Sequence, residues 1–379
     1  MRISTAGTFS SAATYMMGRQ SDLAKLSTQI SSGQRILTPS DDPAGAARVI
    51  ELENTKARGD QLRINQTSSI NTLSQAESFL GNIGDAYADM QDILAQAGNA
   101  TYSDSDRKIL AAELAARRDA LSGLSISRDA DGQPLFGSRL VRVSNSRELD
   151  VSLNSNALFG RVRDGNGVFA ASADSANAGA TSISAGTVAD AAALDGNSYD
   201  IVVHDNVGVL TYDIINTATT ATVSSGNAFS NGGTISVAGM SVKITGSPAD
   251  GDSYHLMAST TRSVFQTLDD MIQALKAPVS DDVSRAQLSA NIAAGLAQLD
   301  QAAETAHLTR ASAGAALKEI DTLQAVNAVQ DEQLQIQIAG VRDLDYTKAV
   351  TDLSQRQLVL DAAQRAYSKT LGHSLFEYL

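Results

Sequence analysis

The residues of this chain whose types could do chemistry are few and widely spaced. Its four histidines, His204, His255, His307 and His373, stand apart, and none falls in the His-Glu-x-x-His spacing that sets two imidazoles around zinc on one helical face. Packed or solvated imidazoles are the expectation. Asp129, Asp131 and Gly132 read like the opening of a calcium loop. The bidentate glutamate such a loop needs near its end is missing, so a turn is expected there. Gly165-Asn166-Gly167 and Gly232-Gly233 lie in β-rich sequence with no following Lys-Ser/Thr, which makes them turn residues rather than a phosphate cradle. Paired carboxylates at Asp41-Asp42, Asp269-Asp270 and Asp281-Asp282 are the remaining candidates for acid-base work. Each falls at a helix start or on an amphipathic helix, where an acidic side chain caps the first turn or stays solvated. The chain has no cysteine, which removes disulfides, thiolate metal sites and cysteine nucleophiles together. No catalytic, cofactor-binding or metal site is expected.

What the spacing does specify is helical pairing. Over 343–379, Tyr346, Leu353, Leu360 and Tyr367 recur every seven residues, with Val350, Gln357, Gln364 and Leu371 as a second track between them. Alternating steps of four and three put these side chains on one narrow stripe that must be covered by another helix. At the other end of the chain Phe9, Met16, Leu23 and Ile30 keep the same interval, with Ala12, Ala13 and Leu26 beside them. The two ends are expected to pair. Glutamines in the seam and small residues opposite make this a weak pair, stabilised when many copies pack side by side. The ten residues Phe9, Met16, Leu23, Ile30, Tyr346, Val350, Leu353, Leu360, Tyr367 and Leu371 are therefore read as an assembly interface.

Between the ends the chain reads helix, β, helix. Gly33 can end the opening helix, Pro39 keeps the backbone extended, and Asp41 or Asp42 can cap a helix with Pro43 in its first turn. That helix runs to about Gly98, roughly 80 Å at helical rise. Leu73, Leu80, Tyr87 and Leu94 form one track on it, and Ala76, Ile83, Met90 and Ala97 the other. A further helix spans about 103–126, with Leu110, Leu114, Leu121 and Leu124 on one face, and 139–143 with 149–153 reads as a hairpin. From about 145 to 262 the composition turns to Gly, Ser, Thr, Asn and Val. Hairpins are expected with turns at Asp205-Asn206 and Ala238-Gly239, while 165–195 is left open between strands and loop. Helix returns with Val264, Leu268, Met271 and Leu275, stops at Pro278, and restarts at Asp281 or Asp282. Leu288, Ile292, Leu299, Ala303, Ala306, Ala313, Leu317 and Ile320 mark its seam, which can continue with little interruption towards the terminal stretch. The expected fold is mainly α with a β-rich insert: residues 1–42 with 340–379 as a terminal coiled coil, 43–144 with 262–339 as a helical rod, and 145–261 as a small β domain.

Composition narrows the partners. With 29 Lys and Arg against 42 Asp and Glu, the net charge of -13 opposes nucleic acid and anionic membrane surfaces, and protein partners are expected. No stretch approaches the roughly 20 apolar residues of a membrane span, and the opening residues lack an apolar core and cleavage site, so export would use no cleaved signal.

Several segments carry a resemblance. MRIST at the start, SSGQRILTPSDDPAGAARVIEL, LTRASAGAAL at 308–317, GVRDLDYTKAV at 340–350 and SLFEYL at 374–379 resemble the flagellin superfamily, and the closing segment its hook-associated members. The match covers both helical arms, and ISVAGMSVKITGSPADGDSY in the insert is similar to a hairpin of these proteins. The resemblance implies terminal helices lining an inner tube, helices in a surrounding shell and the β insert outermost. It also implies a non-catalytic structural adaptor of the extracellular bacterial flagellum. Its implied partners are the first hook-associated junction protein, flagellin, and further copies of itself in a ring. Export through the flagellar type III apparatus with a cytoplasmic chaperone is implied too. A bulk filament flagellin is the alternative within the family, and a secreted protein binding a ligand through its β insert is the alternative outside it.

Overall fold

A computed structural model of the chain describes residues 5–128 and 132–372. The chain divides into two compact units, Met1–Ile64 with Thr322–Leu379, and Asn65–Asp321. Two long helices contribute to both: α2, Pro43–Ala97, and α5, Asp282–Arg342.

In the first unit, α1 (Thr5–Ser32) packs against α6 (Tyr346–Gly372). The terminal pairing expected from the heptad spacing is present. As expected, α5 runs on past Leu334 and Ile338 with little interruption before the terminal stretch: it ends at Arg342 and α6 starts at Tyr346. Asp345 caps the new helix, its carboxylate accepting from the Lys348 N–H at 3.1 Å, and a capping side chain offers the backbone a fresh start. The first turns of α2 and the last turns of α5 meet through a small core of Val49, Leu52, Leu334 and Ile338, with Val341 beside it.

The second unit has two cores. One gathers α2, α3 (Asp104–Ser125), α4 (Val264–Lys276) and α5 around Leu80, Ile83, Tyr87, Met90, Leu114, Leu121, Leu268 and Leu299. All eight expected seam residues of α2, from Leu73 to Ala97, are buried. Ser103 opens α3 with a reciprocal capping box, accepting from the Asp106 N–H while the Asp106 carboxylate accepts from the Ser103 N–H. Ala277 ends α4 in extended backbone, as expected for the residue before Pro278. The expected hairpin is β1 (Leu140–Arg142) against β2 (Glu148–Asp150). A short turn of π-helix, Asn156–Gly160, places Leu158 and Phe159 in the helical core, and β3 (Val162–Arg163) follows.

The other core lies in the β region. A five-stranded antiparallel sheet runs β4-β12-β7-β8-β9, formed by Phe169–Ala173, Ser253–Ala258, Tyr199–Asn206, Val209–Asn216 and Thr222–Ala228. A smaller sheet pairs β10 (Thr234–Val237) with β11 (Met240–Ser247), and β11 with β5 (Ala180–Ile183) and β6 (Thr187–Val188). Strand β13 (Thr261–Arg262) pairs with β3. Alternation sends Tyr199, Ile201, Val203, Tyr254 and Leu256 inward from the larger sheet to meet Ile235, Val242 and Ile244 from the smaller one. The segment left open, 165–195, thus supplies three strands, which pair with partners far along the chain.

One turn falls as expected and one does not. Ala238 and Gly239, at φ +43° and +78°, join β10 to β11. The β7-β8 turn is Val207-Gly208 rather than Asp205-Asn206, because Asp205 and Asn206 pair with Leu210 and Val209 inside the ladder. The Asp205 carboxylate accepts from the Gly208 N–H at 2.6 Å, so the aspartate supports the turn from the strand end.

Candidate functional site

The features that could serve function lie on and beside the terminal helix pair. On α1, Phe9, Met16, Leu23 and Ile30 are half-buried and Leu26 is buried, as a seam requires. On α6, Leu353, Leu360 and Tyr367 are half-buried against it, and Phe9 meets Tyr367 edge to face with centroids 6.0 Å apart. The second α6 track differs from the expected one by a single position. Ala349 is buried and Ala363 half-buried, whereas Val350, Gln357 and Gln364 face solvent. Two helices with alanines between them approach closely enough for the neighbouring track to be left outside. Val350 is thus about half exposed, Tyr346 at the start of the first track departs from the expected seam by being about half exposed as well, and the side chain of Leu371 lies outside the described residues. A groove of about 290 Å³ opens along the pair, lined by Phe9, Ala12, Tyr15, Met16, Ala363, Ala366 and Tyr367. Leu358 and Val359 add exposed apolar surface on α6, as Met17 does on α1.

Where the pair meets α2 and α5, the chain is latched. The Leu344 N–H donates to the Gly33 carbonyl at 2.9 Å, and the Arg35 N–H to the Arg342 carbonyl at 2.8 Å. The Arg35 guanidinium reaches both the Val341 carbonyl at 2.6 Å and Asp42 at 3.2 Å. Lys25 on α1 pairs with Asp41 at 2.6 Å, and Asp41 also accepts from the Leu37 and Thr38 N–H groups. The Lys25 hydrogen bond, and after it the Thr38 N–H, holds the Asp41 carboxyl well below the usual carboxylate range. The Gly45 N–H and then Arg35 lower the pKa of Asp42, which is the cap of α2. The expected choice between Asp41 and Asp42 is thereby divided: one binds the loop and the other caps the helix. Periodicity carries no signal for this latch. Its only mark in the sequence is the punctuation between Gly33 and Pro43.

The other chemical candidates have structural partners. His255 on β12 lies between Asp200 at 2.7 Å and Asp174 at 3.3 Å. Burial opposes its charge, but the hydrogen bonds to Asp200 and Asp174 outweigh that and raise its pKa above the ordinary value. His204 sits 3.5 Å from Asp213. Asp281 caps α5 through the Ser284 N–H at 2.7 Å, while Asp269 and Asp270 pair with Arg118 and Arg262. Gly165 and Gly167 occupy a positive-φ turn before β4. His373, Asp129 and Asp131 lie outside the described residues. Among the described residues, no three His, Cys, Asp or Glu side chains gather to hold a metal ion, and no helix is long and apolar enough to cross a membrane.

The model of the bacterial flagellin N-terminal helical region matches residues 3–139. Flagellar hook-associated protein 3 of Salmonella typhimurium is 25% identical over 378 residues, covering 100% of this chain and 99% of the relative. Among solved structures, hook-associated protein 3 of Legionella pneumophila shares the fold at a TM-score of 0.73, with 23% identity over 77% of this chain and 98% of its own. FlgL of Xanthomonas campestris superposes at a TM-score of 0.69, with 27% identity over 76% of this chain and 99% of its own.

Proposed function

We infer that the chain belongs to the flagellin superfamily, on its hook-associated side, and is a structural protein of the flagellar hook-filament junction. The observation that carries this reading is the end-to-end match to a hook-associated protein, across both helical arms and the β insert alike. The flagellin N-terminal model, by contrast, accounts for residues 3–139 alone.

In this reading the chain is an adaptor without catalysis. Copies form a ring that contacts the first hook-associated junction protein on one side and flagellin on the other. They reach that extracellular position through the flagellar type III apparatus with a chaperone's help and without a cleaved signal. Residues 1–42 with 340–379 form the inner tube, 43–144 with 262–339 the surrounding shell, and 145–261 the outer surface. Phe9, Met16, Leu23, Ile30, Leu353, Leu360 and Tyr367 hold the two terminal helices together. Tyr346 and Val350, with Leu371, are left for neighbouring subunits, a role supported by the exposure of Tyr346 and Val350 in the single chain.

Immunogold labelling of intact flagella tests the reading. Label confined to the hook-filament boundary is expected. Label along the whole filament would instead favour a flagellin, the alternative that the N-terminal match keeps in view.

A further inference from the structure

In the first unit, α2 and α5 each bury one face against the other and leave an apolar stripe on the face that points away. On α2, Ile50, Ala57 and Ile64 recur every seven residues and all are exposed, Ile50 at 56% and Ile64 at 61%. At about 100° per residue this stripe lies roughly opposite Leu52 and Leu62, with Val49 on its flank, and all three are buried. On α5, Val329 and Ile336 recur at seven with Val326 alongside, again exposed, and lie roughly opposite the buried Leu334 and Ile338. The shared side is closed by the small apolar core and by Lys56 against Asp331 at 2.8 Å. The two outer stripes therefore face in opposite directions.

Their flanking charges are of opposite sign and unspent. Arg58, beside the α2 stripe, donates to the Thr55 hydroxyl and has no carboxylate partner among the described residues. Glu332, beside the α5 stripe, has no cation within ion-pair reach among them. Between Lys318 and Arg342, α5 carries Glu319, Asp321, Asp331 and Glu332 and no basic residue.

We propose that the Ile50-Ala57-Ile64 stripe of one copy docks on the Val326-Val329-Ile336 stripe of the next, with Arg58 of one copy facing Glu332 of the other. The occupant is a second copy of this chain because one chain supplies both complementary surfaces. A symmetric dimer through either stripe alone would set Arg58 against Arg58 or Glu332 against Glu332, which like-charge repulsion disfavours. Unlike stripes on opposite flanks make a head-to-tail contact, the kind that propagates into a ring or helix instead of ending at two. The proposal rests on the junction reading above and supplies the lateral contact that a ring of copies needs.

Since the chain has no cysteine, the contact can be trapped cleanly. Intact flagella from cells carrying Arg58→Cys with Glu332→Cys, oxidised and run under denaturing conditions, are expected to give dimers, trimers and higher steps. Each single variant is expected to give monomer. Monomer alone from the double variant overturns the contact, and so do dimers from either single variant. A charge exchange tests it without relying on disulfide geometry. Arg58→Glu and Glu332→Arg should each lower the fraction of hooks bearing filaments about tenfold, and the two together should restore it to within about twofold. A double variant no better than the singles overturns the proposal. Boundary labelling by the wild-type chain without ladder or rescue sinks this contact alone, whereas absent boundary label sinks the junction reading and this contact with it.

Discussion

Gly33 does two things at one position. Its φ of +73° ends α1 in the left-handed region, and a Cβ there would stand 3.0 Å from the Tyr346 hydroxyl. Gly33→Ala is expected to cost about 1–2 kcal/mol from backbone strain alone. It should appear first as faster amide exchange at Leu344, whose N–H donates to the Gly33 carbonyl; unchanged exchange there would refute the latch's dependence on this residue. His255 gives a pH dependence of definite sign. Its folded-state pKa is raised, so its contribution is complete below the ordinary histidine value and is lost as pH rises through the raised one. The β region should therefore unfold at a lower temperature at about pH 8 than at about pH 6. His255→Gln should remove much of that difference, read from the near-ultraviolet signal of Tyr199 and Tyr254. The sequence displayed Gly33 as a helix stop and His255 as a solitary imidazole. Neither partner was legible, since Tyr346, Asp200 and Asp174 reach them only through pairing of distant segments.

Elements were legible where one spacing had one outcome. The α2 seam from Leu73 to Ala97 is buried as its heptads demand, and Leu80→Ala in that core should cost about 2–5 kcal/mol in chemical denaturation. Ser103→Ala, which breaks the α3 capping box, should cost about 1 kcal/mol. A larger loss at Ser103 than at Leu80 would contradict the core assignment. The α6 seam was legible only in part. Leu353, Leu360 and Tyr367 follow the expected track, but the partner track falls on Ala349 and Ala363 in place of Val350 and Gln364. Heptad spacing fixes a stripe's direction along a helix, and the helix it meets fixes which flank is covered. The strands of 165–195 were hidden for a related reason: β4 and β5 are short and defined by β12 and β11, about sixty to ninety residues later. The β7-β8 turn shows turn chemistry misplacing a boundary, as Asp205 acts from the strand while Gly208 provides the positive φ.

At the scale of the molecule, the chain divides into two compact units, Met1–Ile64 with Thr322–Leu379 and Asn65–Asp321. Deleting residues 346–372 leaves both cores of the second unit intact while removing the whole partner of α1. Cells making only this shortened chain are expected to build hooks that carry no filaments, counted by electron microscopy. Normal swimming would mean the terminal pair is dispensable.

The latch between the two ends has a kinetic consequence. Arg35 and Val341 are 306 residues apart in sequence yet bonded at 2.6 Å. Once they meet, the entropy of closing that very long loop has already been spent. From then on α1 and α6 find each other as two arms of a short hairpin would, at the high effective concentration of tethered partners. A weak seam is sufficient under that condition. The helices can part and re-form quickly around a fixed anchor.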